Sequence, residues 1–326
     1  MSVPECTIAF DNSCNWMWTL SSIFTGFKLL DEQKLLKVKS VSMDRNFRAD
    51  GRYPDRMVVE VKMGGKTLVY DMADGYQSIN SAEVFDSQLD RVDYYFKSSY
   101  DPDFASRLRN REKFQKFGMS YECSCKGNYF EKANLKDALA KKQFVDAAKQ
   151  LYLLKRRQKV LDYRVFEGST HFDEYGVLFW SRLWEYDVDV KTMMGFYKEL
   201  TQTQAQEKVE KEAEMIRQTN RRRIENVRAL KEQFGEKFVG GLCDCEASRK
   251  MAPDLITHDP RIETREAYMA SLKKGYINIL SAGLHGCIGA RYGETVAAGR
   301  VLLTDPLVYT PPGLFADGQN YLTYTD

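Results

Sequence analysis

Residues 277–306 read INILSAGLHGCIGARYGETVAAGRVLLTDP, and this stretch decides the fold. Residues 277–280 form a short apolar run that predicts a strand. A loop with Gly283, Gly286 and Gly289 follows, then a helix over 290–298, then a strand over 301–304 that ends at Asp305-Pro306. Strand, glycine-rich loop, helix and strand together make a parallel βαβ unit. Glycines let a backbone adopt positive φ and approach a ligand closely. A helix N-terminus adds unpaired N–H groups and partial positive charge, which suits a diphosphate. The spacing G-x-x-G-x-x-G departs from the dinucleotide fingerprint, whose first two glycines are one residue apart. Glu294 stands on the helix just after the loop, where a carboxylate can accept hydrogen bonds from both hydroxyls of a ribose. Arg291, one turn earlier, can meet phosphate. A tight strand–helix turn carrying a surface Glu–Arg pair is the alternative.

The flanking sequence continues the rhythm. Residues 175–180 predict a strand running into Ser181-Arg182. Residues 190–234, rich in Glu, Lys, Gln and Arg, predict a solvated helix pair, within which Arg221–Arg223 could touch phosphate. A strand over 237–242 and a helix over 265–274 precede the opening segment. In the first half, residues 7–10 predict a strand that ends at Asp11, and 16–30 a helix for which Ser13 marks the start. Two strands over 56–61 and 67–70 flank a Gly64-Gly65 turn, 91–97 predicts a further strand, and 132–161 a basic helix. The fold class expected is α/β, with one domain over 1–160 and a second over 161–326.

Composition bounds the function. The net charge of +2 across 326 residues argues against a dedicated nucleic-acid binder. The apolar runs are too short to span a bilayer, and residues 1–14 show no basic leader before an apolar core, so the expected compartment is the cytoplasm. The cysteine count is odd, at seven, and free thiols are the expectation. The Cys123/Cys125 and Cys243/Cys245 pairs could offer zinc four soft ligands, but their spacing is short for zinc and no His is close by. Asp187-Val-Asp189 could mimic an acidic metal motif but reads better as a loop.

The segment Gly293-Glu294-Thr-Val-Ala297-Ala298-Gly299-Arg300, followed by residues 301–306, resembles the nucleotide-sugar segment of bacterial GT-B glycosyltransferases of capsule and surface-polysaccharide synthesis. Phe315-x-x-Gly318-x-Asn320-Tyr-Leu322 extends the likeness, as do, more loosely, residues 70–76 and 93–100. The resemblance implies two Rossmann-like domains facing across a cleft and a metal-independent sugar transfer to a glycan or lipid-linked acceptor, with peripheral membrane association and no cofactor beyond the nucleotide-sugar substrate. It implies that Glu294 binds the ribose, that Gly286 to Gly289 hold the diphosphate, and that Arg182 and His285 contact phosphate. His285 lies one residue further from the Glu than in plant-type members. Retaining relatives often carry two glutamates with seven residues between them; here the first position is Gly286, which tilts the expectation toward inversion.

An inverting enzyme needs a base from the first domain. Asp11, at the end of the first strand, is the first choice, with helix capping as its alternative, and Asp74 is the second. The rival functions are a non-catalytic scaffold on the same fold, a nucleotide-sugar epimerase, and nucleic-acid binding through the Arg-rich helix.

Overall fold

The computed structural model describes residues 3–11, 17–44, 47, 51–53, 57–76, 81–119, 121–168, 176–197, 200–274 and 277–324. Ser13 and Trp16 at the start of the first expected helix lie outside these residues, as do Arg56 and Tyr175 at the starts of two expected strands. The chain is α/β, with one mixed and one parallel sheet. It divides into two compact units. The first holds Met1–Gly168, Gly286–Gly299 and Leu307–Asn320; the second holds Ser169–His285, Arg300–Pro306 and Tyr321–Asp326. The chain passes between these units at 168/169, 285/286, 299/300, 306/307 and 320/321.

The first unit contains β1 (Glu5–Phe10), α1 (Ser21–Glu32), β2 (Lys37–Met43), β3 (Val58–Met63), β4 (Lys66–Asp71), α2 (Ala82–Leu89), β5 (Tyr94–Lys97), α3 (Pro102–Ser106), β6 (Phe114–Lys116), α4 (Tyr129–Ala140), α5 (Phe144–Val160) and α6 (Tyr163–Phe166). Its strands lie in the order β2-β1-β3-β4-β5-β6. Only β3 runs against its neighbours; the β1–β2, β4–β5 and β5–β6 pairs are parallel. Two positive φ values, 58° at Gly64 and 76° at Gly65, close the β3–β4 hairpin, as a two-residue loop of this hand requires. Alternation along β1 sends Cys6, Ile8 and Phe10 into a core with Phe24, Phe27 and Phe130. The edge strand β2 exposes Lys37 and Lys39, which discourages further strand pairing. The single basic helix expected over 132–161 is two helices, broken where Lys142 turns left-handed at φ 57°.

The second unit contains β7 (Val177–Ser181), α7 (Val190–Phe196), α8 (Gln202–Phe234), β8 (Phe238–Leu242), α9 (Glu246–Met251), α10 (Arg265–Lys273), β9 (Ile277–Leu280), β10 (Leu302–Thr304) and β11 (Leu322–Thr323); α11 (Ala290–Ala297) belongs to the first unit. The strand order is β11-β10-β9-β7-β8, parallel throughout. α8 buries Ile216, Asn220, Arg223, Val227 and Leu230 on one helical face and leaves most of its charges in water. A reciprocal capping box starts it: the Thr201 hydroxyl accepts the Gln204 N–H, and the Gln204 side chain accepts the Thr201 N–H. Thr201→Ala is expected to destabilise this end by about 1 kcal/mol, seen as faster amide exchange over the first turn of α8 alone. Unchanged exchange there would show that the box carries no weight. Among the described residues, no helix is long and apolar enough to cross a membrane.

Candidate functional site

Because every strand of the second sheet is parallel, β7, β8, β9 and β10 all end on one edge. The first of them, β7, lies between β8 and β9, so the chain winds outward in opposite directions from it. Loops leaving such a switch point diverge, and ligands of open α/β sheets bind there. Arg182 is the first residue after β7. It is exposed, and its guanidinium lies 5.5 Å from the centroid of the Trp184 ring. Asn220 of α8 clamps the backbone of Trp184, accepting its N–H at 2.9 Å and donating to its carbonyl at 2.8 Å.

Arg223, also on α8, ties together the two loops of the switch point. It donates to the Arg182 carbonyl, to the Ser281 hydroxyl at 3.3 Å and to the Ala282 carbonyl at 3.5 Å. Asp305, after β10, accepts the Ala282 N–H at 2.9 Å and pairs with Arg222 at 3.1 Å. The Arg222 side chain is about half exposed, so this pair adds little stability of its own. Arg221 faces outward to Glu225 at 2.9 Å. The arginine triplet thus divides into a surface residue, a loop partner and a buried brace. The expectation for the triplet was a solvated helix surface that could touch phosphate. The missed signal was two polar residues, Asn220 and Arg223, on the apolar face of an amphipathic helix. His285 adopts φ 58°, its ring Nε2 lies 3.2 Å from Glu212 Oε2, and its backbone N–H approaches the Met215 sulfur at 3.1 Å.

The rest of the glycine-rich segment belongs to the first unit. Gly286 has φ 71°, and a Cβ there would stand 2.8 Å from a Val308 methyl, so both backbone and packing demand glycine. Gly289 caps α11 and has open space where a Cβ would project. Arg291 is half-buried in the first turn of α11. Glu294 is fully buried, which removes the alternative of a surface Glu–Arg pair. Burial pushes the Tyr121 phenol up to about 12, and the charge of Glu294 contributes to that rise.

The first sheet brings both expected bases to one edge. Phe10 and Tyr70 each pair with Val59 across β3. Asp11 and Asp71, one residue beyond, therefore stand level, two strand spacings or about 10 Å apart. Asp11 is fully buried; Asp74, on the loop after β4, is exposed. That loop rests on a buried group that sequence reading passed over. Lys97 lies 3.3 Å from Asp71 Oδ1 and donates to the Ala73 carbonyl, while Tyr95 donates to Asp71 Oδ2 at 2.7 Å. The Gly75 N–H reaches the Ser99 hydroxyl at 3.0 Å. Tyr76 packs 6.1 Å from Tyr309. Burial, with help from Asp101, Cys287 and Asp74, lifts the Tyr309 phenol to about 12.

Cys123 and Cys125 belong to the first unit and Cys243 and Cys245 to the second. Among the described residues, no group of three or more His, Cys, Asp or Glu is arranged to hold a metal ion. Asp189 of the Asp-x-Asp motif caps α7, accepting the Thr192 N–H at 2.8 Å. Burial raises the Cys245 thiol, but the Ser248 hydroxyl and backbone N–H outweigh it, and the net shift is downward. Burial drives Cys123 from 9.0 to about 12 and Cys125 from 9.0 to about 11. A neutral acid whose pKa is raised by folding stabilises the fold fully below its unfolded pKa, and that contribution is lost as pH climbs toward the folded value. Stability is therefore expected to fall between about pH 9 and pH 12, and urea midpoints across that window measure it. A flat profile up to pH 11 would show that these thiols ionise as easily folded as unfolded. Compared with protein-family models, curated proteins and solved structures, the chain matches none of them.

Proposed function

We propose that this protein is a metal-independent glycosyltransferase of the GT-B type that moves a sugar from a nucleotide-sugar donor to a glycan or lipid-linked hydroxyl in surface-polysaccharide synthesis. The observation that carries the reading is the switch point of the parallel sheet: an exposed Arg182 leaves one side, and the glycine-rich segment leaves the other. In this reading Arg182 and His285 at the switch point of the second unit take the diphosphate, and the resemblance gives Glu294 the ribose. Diphosphate departure is stabilised by these preorganised donors, so the step needs no bound metal. The acceptor oxygen attacks the anomeric carbon, the bond to the diphosphate breaks, and the hydroxyl proton passes to a carboxylate base. Of the two candidate bases Asp74 is exposed and Asp11 fully buried, which supports Asp74.

Thermal-shift titration with nucleoside diphosphates and nucleotide sugars tests the reading, since a ligand that binds the native state raises its melting temperature. Glu294→Gln is expected to weaken nucleotide affinity by about tenfold or more, the scale of hydrogen bonds to a charged group, with the ligand-free melting temperature as control for the fold. Unchanged affinity would remove Glu294 from the site. Asp74→Asn is expected to abolish transfer and preserve nucleotide binding; turnover at the wild-type rate would clear Asp74 of the role. The complete burial of Asp11 favours a second reading, a nucleotide-binding scaffold without turnover. That reading predicts thermal stabilisation by nucleotide with neither transfer nor donor hydrolysis.

A further inference from the structure

The α4–α5 hairpin of the first unit carries the largest concentration of exposed apolar side chains among the described residues. Val145 is 84% exposed, Phe144 70%, Tyr152 62%, Leu139 50% and Leu151 44%. Leu139, Phe144 and Val145 sit at the turn between the helices, and Leu151 and Tyr152 continue from it along α5. At 100° per residue, Phe144, Ala148, Leu151 and Tyr152 fall on one side of the helix and Lys155 and Lys159 prolong the same side. The opposite side holds the packing contacts: Gln150, Leu153 and Arg157 are partly buried there, and burial lowers the pKa of the Arg157 guanidinium, opposed by the charges of Glu122 and Glu131. Two turns and a half of helix therefore present an apolar stripe that none of the described residues covers.

The charge around the stripe identifies what covers it. Lys141, Lys142, Lys149, Lys155, Arg156 and Lys159 are all exposed, and Asp146 is the one acidic residue of this segment. Asp146 lies about 160° round the helix from Phe144. Lys141 keeps more than a third of its side chain in water although it pairs with Asp137 at 2.7 Å. The whole chain carries a net charge of only +2, so this is a strong local excess. A second copy seated here would set one set of six cations against another. A nucleic acid would use the cations and leave Phe144 and Val145 in water. An anionic bilayer takes both parts: aliphatic and aromatic side chains enter the headgroup boundary, and lysines meet the lipid phosphates.

We infer that the α4–α5 hairpin docks the protein onto an anionic lipid surface, with Phe144 and Val145 entering first and α5 lying along the interface. The inference does not rest on the transferase reading, and its test needs no nucleotide. The whole chain is floated with phosphatidylcholine vesicles, with and without phosphatidylglycerol. Binding is expected only with the anionic lipid and is expected to weaken as salt is raised. Lys155→Glu with Lys159→Glu is expected to reduce it by at least about fivefold, the worth of a single surface cation. Phe144→Ser with Tyr152→Ser is expected to reduce it comparably, and both residues are exposed, so an unchanged melting temperature separates lost docking from lost folding. Three results overturn the inference: equal binding to neutral vesicles, no binding to either, or anionic binding that survives both pairs of substitutions. Sedimentation of the free protein as a dimer that Phe144→Ser dissociates, with no vesicle binding, would assign the stripe to a second copy instead. Tight retention of an RNA homopolymer in place of vesicles would assign the cations to nucleic acid.

Discussion

Lys97→Met is expected to destabilise the first unit by about 3–5 kcal/mol, the cost of stranding one member of a buried ion pair. Lys97 and Asp71 are both almost completely excluded from solvent. Asp71 also accepts the Ala73 N–H at 2.8 Å and the Tyr95 hydroxyl at 2.7 Å, but these neutral donors cannot replace an ammonium. The methionine fills most of the vacated volume, so the loss is mainly electrostatic. Adding Asp71→Asn to the same chain is expected to recover a large part of the stability, because it removes the uncompensated charge. Residues that share one network behave non-additively in this way. Urea denaturation gives the magnitude, and amide exchange over β4 and β5 shows whether the loss falls on the first unit. A change below about 1 kcal/mol, the scale of an exposed pair, would contradict the buried network. The loop from Met72 to Tyr76 hangs on the Lys97–Ala73 bond. The substitution is therefore also expected to loosen Asp74.

Gly240→Ala is expected to cost the second unit at least about 3 kcal/mol, the upper range for overpacking. A Cβ at Gly240 would lie 1.9 Å from the Phe179 carbonyl oxygen and 2.8 Å from the carbonyl carbon. These atoms belong to β7, which is paired to β8 at this position and buried. Neither strand can retreat without breaking the ladder that forms the switch point. Gly26→Ala is the matched control. Gly26 sits in the interior of α1, exposed, with nothing within 4 Å of its missing Cβ, so alanine there is expected to gain about 0.5–1 kcal/mol. Equal effects at the two glycines would mean that the close approach of β8 to β7 is not real.

The second sheet was legible because buried parallel strands read as short continuous apolar runs between helical segments, as in residues 177–180 and 277–280. The β3–β4 hairpin was legible from its glycine pair. Direction and partnership were not: antiparallel pairing of β3 with β1 joins residues about fifty apart, and no local pattern records it. β2, with its alternating lysines and serines, lacks the apolar density of a strand buried on both faces and was missed. So was β6, only three residues long. At the site, strand ends and glycines led to Asp11, Arg182 and the loop before α11. The braces did not show, because a Lys in a strand and an Arg in a charged helix look like surface residues until tertiary packing closes over them. Glu294 was read as a ribose acceptor or a surface residue, and its complete burial, which only packing could reveal, removes the second. The membership of α11 in the first unit depends on such packing and leaves no trace in its own eight residues.

That membership has a consequence for synthesis. Gly168 packs so closely that a Cβ there would stand 1.8 Å from the Ala298 carbonyl oxygen, and Ala298 is made 130 residues later. At typical translation speeds this interval is on the order of ten seconds. The emerging chain can assemble β7, β8 and β9 within that time, whereas the first unit holds an incomplete surface until Gly286–Gly299 and Leu307–Asn320 arrive. The half of the protein begun first thus waits for segments made close to the end of the chain. Nascent chains arrested between residues 168 and 286 are the species in which chaperone engagement and protease sensitivity of the first sheet should be greatest.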